Sequence, residues 1–185
     1  MSVGPVSTHV ALLRGVNVGG KNRLPMKDLR AMFALAGCEA VATYIQSGNV
    51  VFKARAHLAT RIPTLIASGI EERFGYRVPV VVRALEELRD VATANPFLGT
   101  VDDLKKLHVA FLADTPESDR VAHLDPDRSA PDAFRVRGRE IFLHCPNGLA
   151  RTRLTNDYFD SKLATTSTVR NWRTVLTLLK MAQGD

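Results

Sequence analysis

Cysteine is nearly missing from this chain: Cys38 and Cys145 are the only two in 185 residues. They lie far apart and in no paired motif, which excludes a disulfide framework and suits a reducing compartment. No apolar run is long enough for a membrane span or a secretory leader, so the expected location is the cytoplasm and no membrane partner is expected. Aromatic residues make up 6% of the chain, and no strand carries the aromatic signature with which RNA-binding sheets stack bases. The five histidines, His9, His57, His108, His123 and His144, show no ligand spacing. Neither a metal nor another cofactor is therefore expected. Ser47 lacks the flanking glycines of a nucleophile elbow, and no general base stands out, so the sequence names no reaction.

What is present is positive charge and glycine. The formal net charge is +6, which favours polyanions or phosphorylated ligands as partners. Between Arg14 and Arg30 the cations Arg14, Lys21, Arg23, Lys27 and Arg30 are opposed by a single acid, Asp28. The stretch Arg14-Gly15-Val16-Asn17-Val18-Gly19-Gly20-Lys21-Asn22-Arg23-Leu24-Pro25 leaves an apolar strand, crosses a basic glycine-rich loop and enters a helix at Pro25. Gly19 and Gly20 would let main-chain N–H groups approach an oxyanion, with Arg14, Lys21 and Arg23 as countercharge. The alternative is a turn whose glycines serve backbone geometry only, with its cations solvated. Gly15 to Lys21 also has the spacing of a P-loop. However, Asn22 stands where the metal-liganding hydroxyl belongs, and Pro25 disfavours helix at Leu24, so no helix can open under Lys21.

The element order predicts the fold. Met1 to Ser7 reads as a loose polar lead. Thr8 to Arg14 is a buried strand, followed by an amphipathic helix from Pro25, in its first turn, to Gly37. Val41 to Ile45 and Val50 to Lys53 form a hairpin around Gln46-Ser47-Gly48-Asn49. A helix bearing Leu58, Ile62, Leu65, Ile66, Ile70 and Phe74 starts or kinks at Pro63 and ends at Gly75, and Val78 to Arg83 is a strand. This βαββαβ order is ferredoxin-like. After a helix over Leu85 to Ala94 the pattern begins again. His108 to Ala113 is a strand, Thr115-Pro116 caps a short helix reaching Leu124, and Ala133 to Val136 with Glu140 to His144 form a second hairpin. From Thr168 onward Val169, Trp172, Val175, Leu176 and Leu179 mark the buried stripe of a last helix. The expectation is an α+β protein of duplicated ferredoxin-like halves with mainly antiparallel sheets, the second half lacking an obvious last strand. The duplication rests on element order alone.

Leu13-Arg14-Gly15-Val16-Asn17-Val18-Gly19-Gly20, Met26-Lys27-Asp28-Leu29, Tyr44-Ile45-Gln46-Ser47-Gly48-Asn49-Val50-Val51-Phe52, Asn95-Pro96-Phe97 and Arg170-Asn171-Trp172-Arg173-Thr174-Val175 together resemble the bacterial family known as domain of unknown function 1697. The resemblance runs over nearly the whole chain. It implies one family-type domain over residues 6–183, containing half-repeats 8–84 and 106–182 joined by a helical linker 85–105, and it implies no activity. One departure is that Val169 separates Thr168 from Arg170, where the family usually has a Thr-rich turn directly before Arg-Asn-Trp.

The candidate phosphate-binding residues are Arg14, Asn17, Gly19, Gly20, Lys21, Asn22 and Arg23 from the loop, and Gln46, Ser47 and Asn49 from the neighbouring hairpin turn. Arg170, Asn171 and Arg173 join them at what reads as the N-terminal turn of the last helix, where N–H groups attract anions. Gln46 to Asn49 also reads simply as a hairpin turn. Asp157 and Asp160 read as the surface of a polar loop or short helix, and Trp172 as core. The function expected is a cytosolic protein binding phosphate groups of a nucleic acid or nucleotide. The alternatives are an enzyme on a small phosphorylated or nucleotide substrate, with Arg14, Lys21 and Gln46 orienting it, and a protein-interaction module with a basic face.

Overall fold

Two four-stranded antiparallel sheets, one from each half of the chain, organise the computed structural model, which describes residues 4–184. The first half runs β1 (Val6–Leu13), α1 (Met26–Leu35), β2 (Glu39–Tyr44), β3 (Asn49–Arg55), the single turn α2 (Ala56–Ala59), α3 (Ile62–Phe74) and β4 (Val80–Ala84). Its strands lie in the order β2-β3-β1-β4. After α4 (Leu85–Ala94), the second half repeats this with β5 (Leu107–Leu112), α5 (Ser118–Ala122), β6 (Ala133–Arg137), β7 (Glu140–His144), α6 (Asn156–Leu163), β8 (Ser167–Asn171) and α7 (Trp172–Gln183). Its order, β6-β7-β5-β8, is the same arrangement. The protein is a duplicated ferredoxin-like α+β fold. The chain divides into two compact units, one running to Arg89 and taking in the chain from Leu178 onward, the other Asp90–Thr177.

Strand alternation places one set of side chains under the helices. Ala11 and Leu13 of β1, with Val50, Phe52 and Ala54 of β3, pack with Leu29 and Phe33 of α1 and Ile62, Ile66 and Ile70 of α3. Ala110, Leu112, Ile141 and Leu143 do the same with Tyr158, Phe159 and Leu163 of α6. The other set, Val10, Leu12, Val51, Val81 and Arg83 in the first sheet and Val109, Phe111, Phe142, Thr168 and Arg170 in the second, is buried too. Both faces of each central strand are therefore dry, which is why β1 and β5 read as continuous apolar runs.

The register exposes a repeat that element order alone does not show. His9-Val10-Ala11-Leu12-Leu13 and His108-Val109-Ala110-Phe111-Leu112 occupy the same central strand of each sheet. Val10 is opposite Arg83 and Val109 opposite Arg170, so a buried histidine and a buried arginine recur at matching places. Burial pulls both His9 and His108 below the ordinary histidine value of 6.5. Burial likewise brings the Arg170 guanidinium down to about 10, and its Nη1 donates to Thr168 Oγ1 and to the Val169 carbonyl, each at 2.9 Å.

Four expectations need correction. β1 already begins at Val6, so Val6 and Ser7 are strand and not lead, while Met1 to Val3 lie outside the described residues. The missing last strand exists as β8, because the β-branched Thr168 and Val169 suit an edge beside β5 better than a helix start. Consequently α7 opens at Trp172, and its buried stripe is Trp172, Val175, Leu178 and Ala182, with Leu176 39% exposed. Thr115 is not a cap: α5 starts at Ser118 behind an extended Glu117, and Asp114 is held instead by Thr165. Pro25 stands at the extended position just before α1 and not within its first turn. Elsewhere Pro63 sits in the first turn of α3 and Gly75 ends it at φ 76°. Trp172, Tyr158 and Phe159 are core residues, 1%, 5% and 0% exposed.

Candidate functional site

The basic loop leaves β1 at a fixed junction. Leu13 N donates to the Gly48 carbonyl and Arg14 N to the Pro79 carbonyl, both at 2.9 Å, tying the strand's end to the β2–β3 turn and to the lead into β4. Buried Val16 and Leu24 then pin the base of the loop, 1% exposed each. Between them the chain makes a miniature hairpin. Val18 and Lys21 form an antiparallel bridge, Lys21 N donates to the Val18 carbonyl at 3.0 Å, and Gly19 and Gly20 turn the tip at φ 58° and 74°. Positive φ at both central residues is the two-residue hairpin turn that glycine makes without strain.

Asn17 and Asn22 hold this hairpin from inside, both in the left-handed region at φ 56° and 49°. Asn17 Nδ2 donates to the Leu24 carbonyl at 2.9 Å and the Gln46 carbonyl at 2.7 Å, and its Oδ1 accepts from Leu24 N at 2.8 Å. Asn22 Nδ2 donates to the Gly15 carbonyl at 3.0 Å, and Asn17 N donates to the Asn22 carbonyl at the same distance. Tyr76, whose phenol burial pushes up, donates its hydroxyl to the Arg23 carbonyl at 2.7 Å. The β2–β3 turn fits so closely that a Cβ on Gly48 would lie 2.7 Å from both Leu13 Cβ and Val16 Cγ2.

The expected convergence of the two segments therefore occurs, but through main-chain carbonyls. Gly19, Gly20, Lys21, Arg23 and the Gln46 side chain are exposed, while Arg14, Asn17, Asn22 and Ser47 are half-buried. Asn49 is fully buried on β3 and donates to the Tyr44 carbonyl at 3.2 Å. Its place is structural, because a ligand cannot reach it. Arg170 is buried on β8 and does not stand in a helix turn, whereas Asn171 ends that strand directly before α7 and Arg173 lies in the first turn of α7. Asn171 donates Nδ2 to the Lys105 carbonyl and accepts from Arg173 N with Oδ1, both at 3.0 Å, so it caps α7. Arg173 is exposed on α7.

The P-loop coincidence dissolves for the reason anticipated: Lys21 closes a turn, five residues before α1, on an antiparallel sheet. The bolts contributed by Tyr76, Pro79, Val16 and Leu24 carry no local sequence signal. Ile45 is another residue sequence patterns pass over. It is β-branched, 51% exposed and held at φ 49°, beside the Gln46 that Asn17 grips. Such a conformation costs on the order of 1–2 kcal/mol and persists only where neighbours impose it.

Charge completes the picture. Among the described residues neither Lys21, Arg23 nor Lys27 has an ion-pair partner, whereas Asp28 is engaged by Arg73 at 2.7 Å. Arg30 donates to Thr43 Oγ1 at 3.0 Å. Exposed cations thus continue from the hairpin tip along the first turns of α1, with their one acid neutralised. Elsewhere, Asn95 Nδ2 and His108 Nδ1 are buried without a hydrogen-bond partner among the described residues. No helix among those residues is long and apolar enough to cross a membrane.

The family model described as protein of unknown function, DUF1697, matches residues 6–142. The chain belongs to that family. The DUF1697 match takes in the basic hairpin, the β2–β3 turn and the start of the second half, and it ends before Arg170. Among solved structures, the conserved bacterial protein SP0830 from Streptococcus pneumoniae is similar at 21% identity and a TM-score of 0.73, over 96% of this chain and 99% of that one. At that identity the likeness concerns the DUF1697 fold alone. No curated protein matches this chain.

Proposed function

We propose that this protein binds phosphate groups of a nucleic acid or nucleotide through the basic hairpin, with Lys21 and Arg23 as the contacting cations and Arg14, Asn17 and the Gln46 turn as its support. One observation carries the reading: the second half closes the same junction without such a hairpin. In the second half the same strand end is secured by Leu112 N to the Arg139 carbonyl and Ala113 N to the Thr166 carbonyl, both at 2.8 Å. These match the Leu13–Gly48 and Arg14–Pro79 bonds of the first half. There the connection to the following helix is only residues 113–117 and includes Asp114 and Glu117. The corresponding segment of the first half, 14–25, is longer, glycine-rich and positive, and it spends two internal asparagines to hold an exposed tip in one shape. Structure beyond what closes the sheet, rigid and charged, is what a recognition loop requires.

The test is thermal denaturation at low salt with added nucleoside triphosphate, inorganic pyrophosphate or a short oligonucleotide. A binder of phosphate is stabilised by at least one of these, and the shift disappears in the Lys21→Ala/Arg23→Ala protein, which folds normally because both side chains are exposed. An unchanged melting temperature with all three overturns the proposal.

A further inference from the structure

Phosphate reaches a protein singly, on a small molecule, or in a row, on a polynucleotide. Building on the phosphate reading, we propose that the partner is a polynucleotide, docked by its backbone along the hairpin tip and the exposed face of α1.

A lone phosphate is usually held by main-chain N–H groups converging on it. In this hairpin the amides of Asn17, Lys21 and Leu24 already donate to Asn22, Val18 and Asn17, and the Asn17 and Asn22 carboxamides are committed to carbonyls. What the loop and α1 also turn outward is a set of side-chain cations on successive segments of the chain. Lys21 and Arg23 are followed by Lys27 and Arg30, exposed on α1 and about 4.5 Å apart along its axis. The one acid among them in sequence, Asp28, is taken by Arg73. Four exposed cations spread from the loop onto α1 match a duplex, whose charge repeats about every 1.7 Å of its axis, better than they match one nucleotide.

The tip is shaped for the same partner. Gly19 and Gly20 leave it without side chains, so backbone can approach backbone. Exposed Val18, at 62%, and Ile45 offer apolar contact beside the charges, suited to sugar faces. No aromatic side chain stands among these exposed residues, so contact with the backbone is favoured over base stacking.

The experiment uses the full chain and a short fluorescent DNA duplex of mixed sequence, titrated by anisotropy across a range of potassium chloride. With four cations engaged, log affinity falls against log salt with a slope of about −3 to −4. Lys21→Glu/Arg23→Glu weakens binding at least about tenfold at low salt and makes the slope shallower by about two. Unlabelled ATP at matched ionic strength does not displace the duplex. Displacement by ATP with a duplex slope near −1 overturns the polynucleotide inference while leaving phosphate binding intact. Binding of neither duplex nor ATP overturns both. Tighter binding to phosphatidylserine vesicles than to the duplex, lost in Val18→Ser/Ile45→Ser, overturns it in favour of a membrane surface.

Discussion

The two halves differ most at the end of their first strand. In the first, β1 opens into a basic hairpin braced by Asn17, Asn22, Tyr76 and the β2–β3 turn. In the second, β5 passes through a short acidic link in which Thr165 Oγ1 accepts from Asp114 N at 3.1 Å and donates to Asp114 Oδ2 at 3.2 Å. The sheets, their strand order and the two bonds that seal the junction are alike. Duplication therefore supplies an internal comparison: what appears in both halves belongs to the shared fold, and what appears once is particular to its half. By this measure the buried His9/His108 and Arg83/Arg170 pairs belong to the shared architecture, and the basic hairpin is particular to the first half.

The comparison breaks most visibly at the turn glycines. Gly48→Ala puts a methyl against Leu13 and Val16 at φ 73° and is expected to cost about 3 kcal/mol in urea unfolding. Gly138→Ala, in the matching turn at φ 57° with nothing nearer than Glu140 Oε2 at 3.9 Å, costs about 1 kcal/mol. Equal losses would mean the two turns are packed alike. Asn17→Ala comes next, at about 2–3 kcal/mol, since it deletes three hydrogen bonds and a side chain tolerant of positive φ. Thr165→Ala in the second half loses about 1 kcal/mol. A smaller loss at Asn17 than at Thr165 would contradict the bracing described for the hairpin.

Acid sharpens the comparison where the halves agree. Burial is the main cause lowering His9 and His108 below 6.5, with backbone contacts at Ala54 and Lys106 respectively, and Glu87 at His9, working the other way. Between each lowered value and 6.5 the unfolded chain binds a proton that the folded chain refuses, so this stability is whole above pH 6.5 and is lost as the pH falls below it. His9→Gln and His108→Gln should each flatten the stability profile below pH 6.5, as measured by urea unfolding across that range. A profile unchanged by either substitution would show that the imidazoles do not govern acid sensitivity. Smallest of all, Lys21→Glu/Arg23→Glu should move unfolding stability by less than about 0.5 kcal/mol, since both side chains are exposed and neither makes an ion pair among the described residues. A larger change would mean that the tip cations serve folding.

Much of this was legible in the residues. Both hairpins, α1, α3 with Pro63 in its first turn, and the ferredoxin-like order follow from periodicity and turn residues. β8 escaped because Val169, Trp172 and Val175 fit a helical stripe as well as Ser167 to Asn171 fits a strand, and only pairing with β5 decides between them. Recognising His9 to Leu13 and His108 to Leu112 as one motif written twice would have supplied that pairing, since Arg83 then aligns with Arg170. The loop was found from its glycines and cations. The roles of its asparagines were not, because whether a carboxamide faces a ligand or its own backbone depends on contacts with Gln46 and Leu24 that no spacing encodes.

Cys38 and Cys145 are both buried, and burial pushes each thiol up to about 11. At neutral pH such groups are protonated and shielded from alkylating reagents. A cysteine introduced at Val18, 62% exposed beside the tip, would stand as the one reactive thiol on the native protein, so a fluorophore or photo-crosslinker can be planted on the hairpin without first stripping the background, and whatever lies against it in a cell extract can be caught in place.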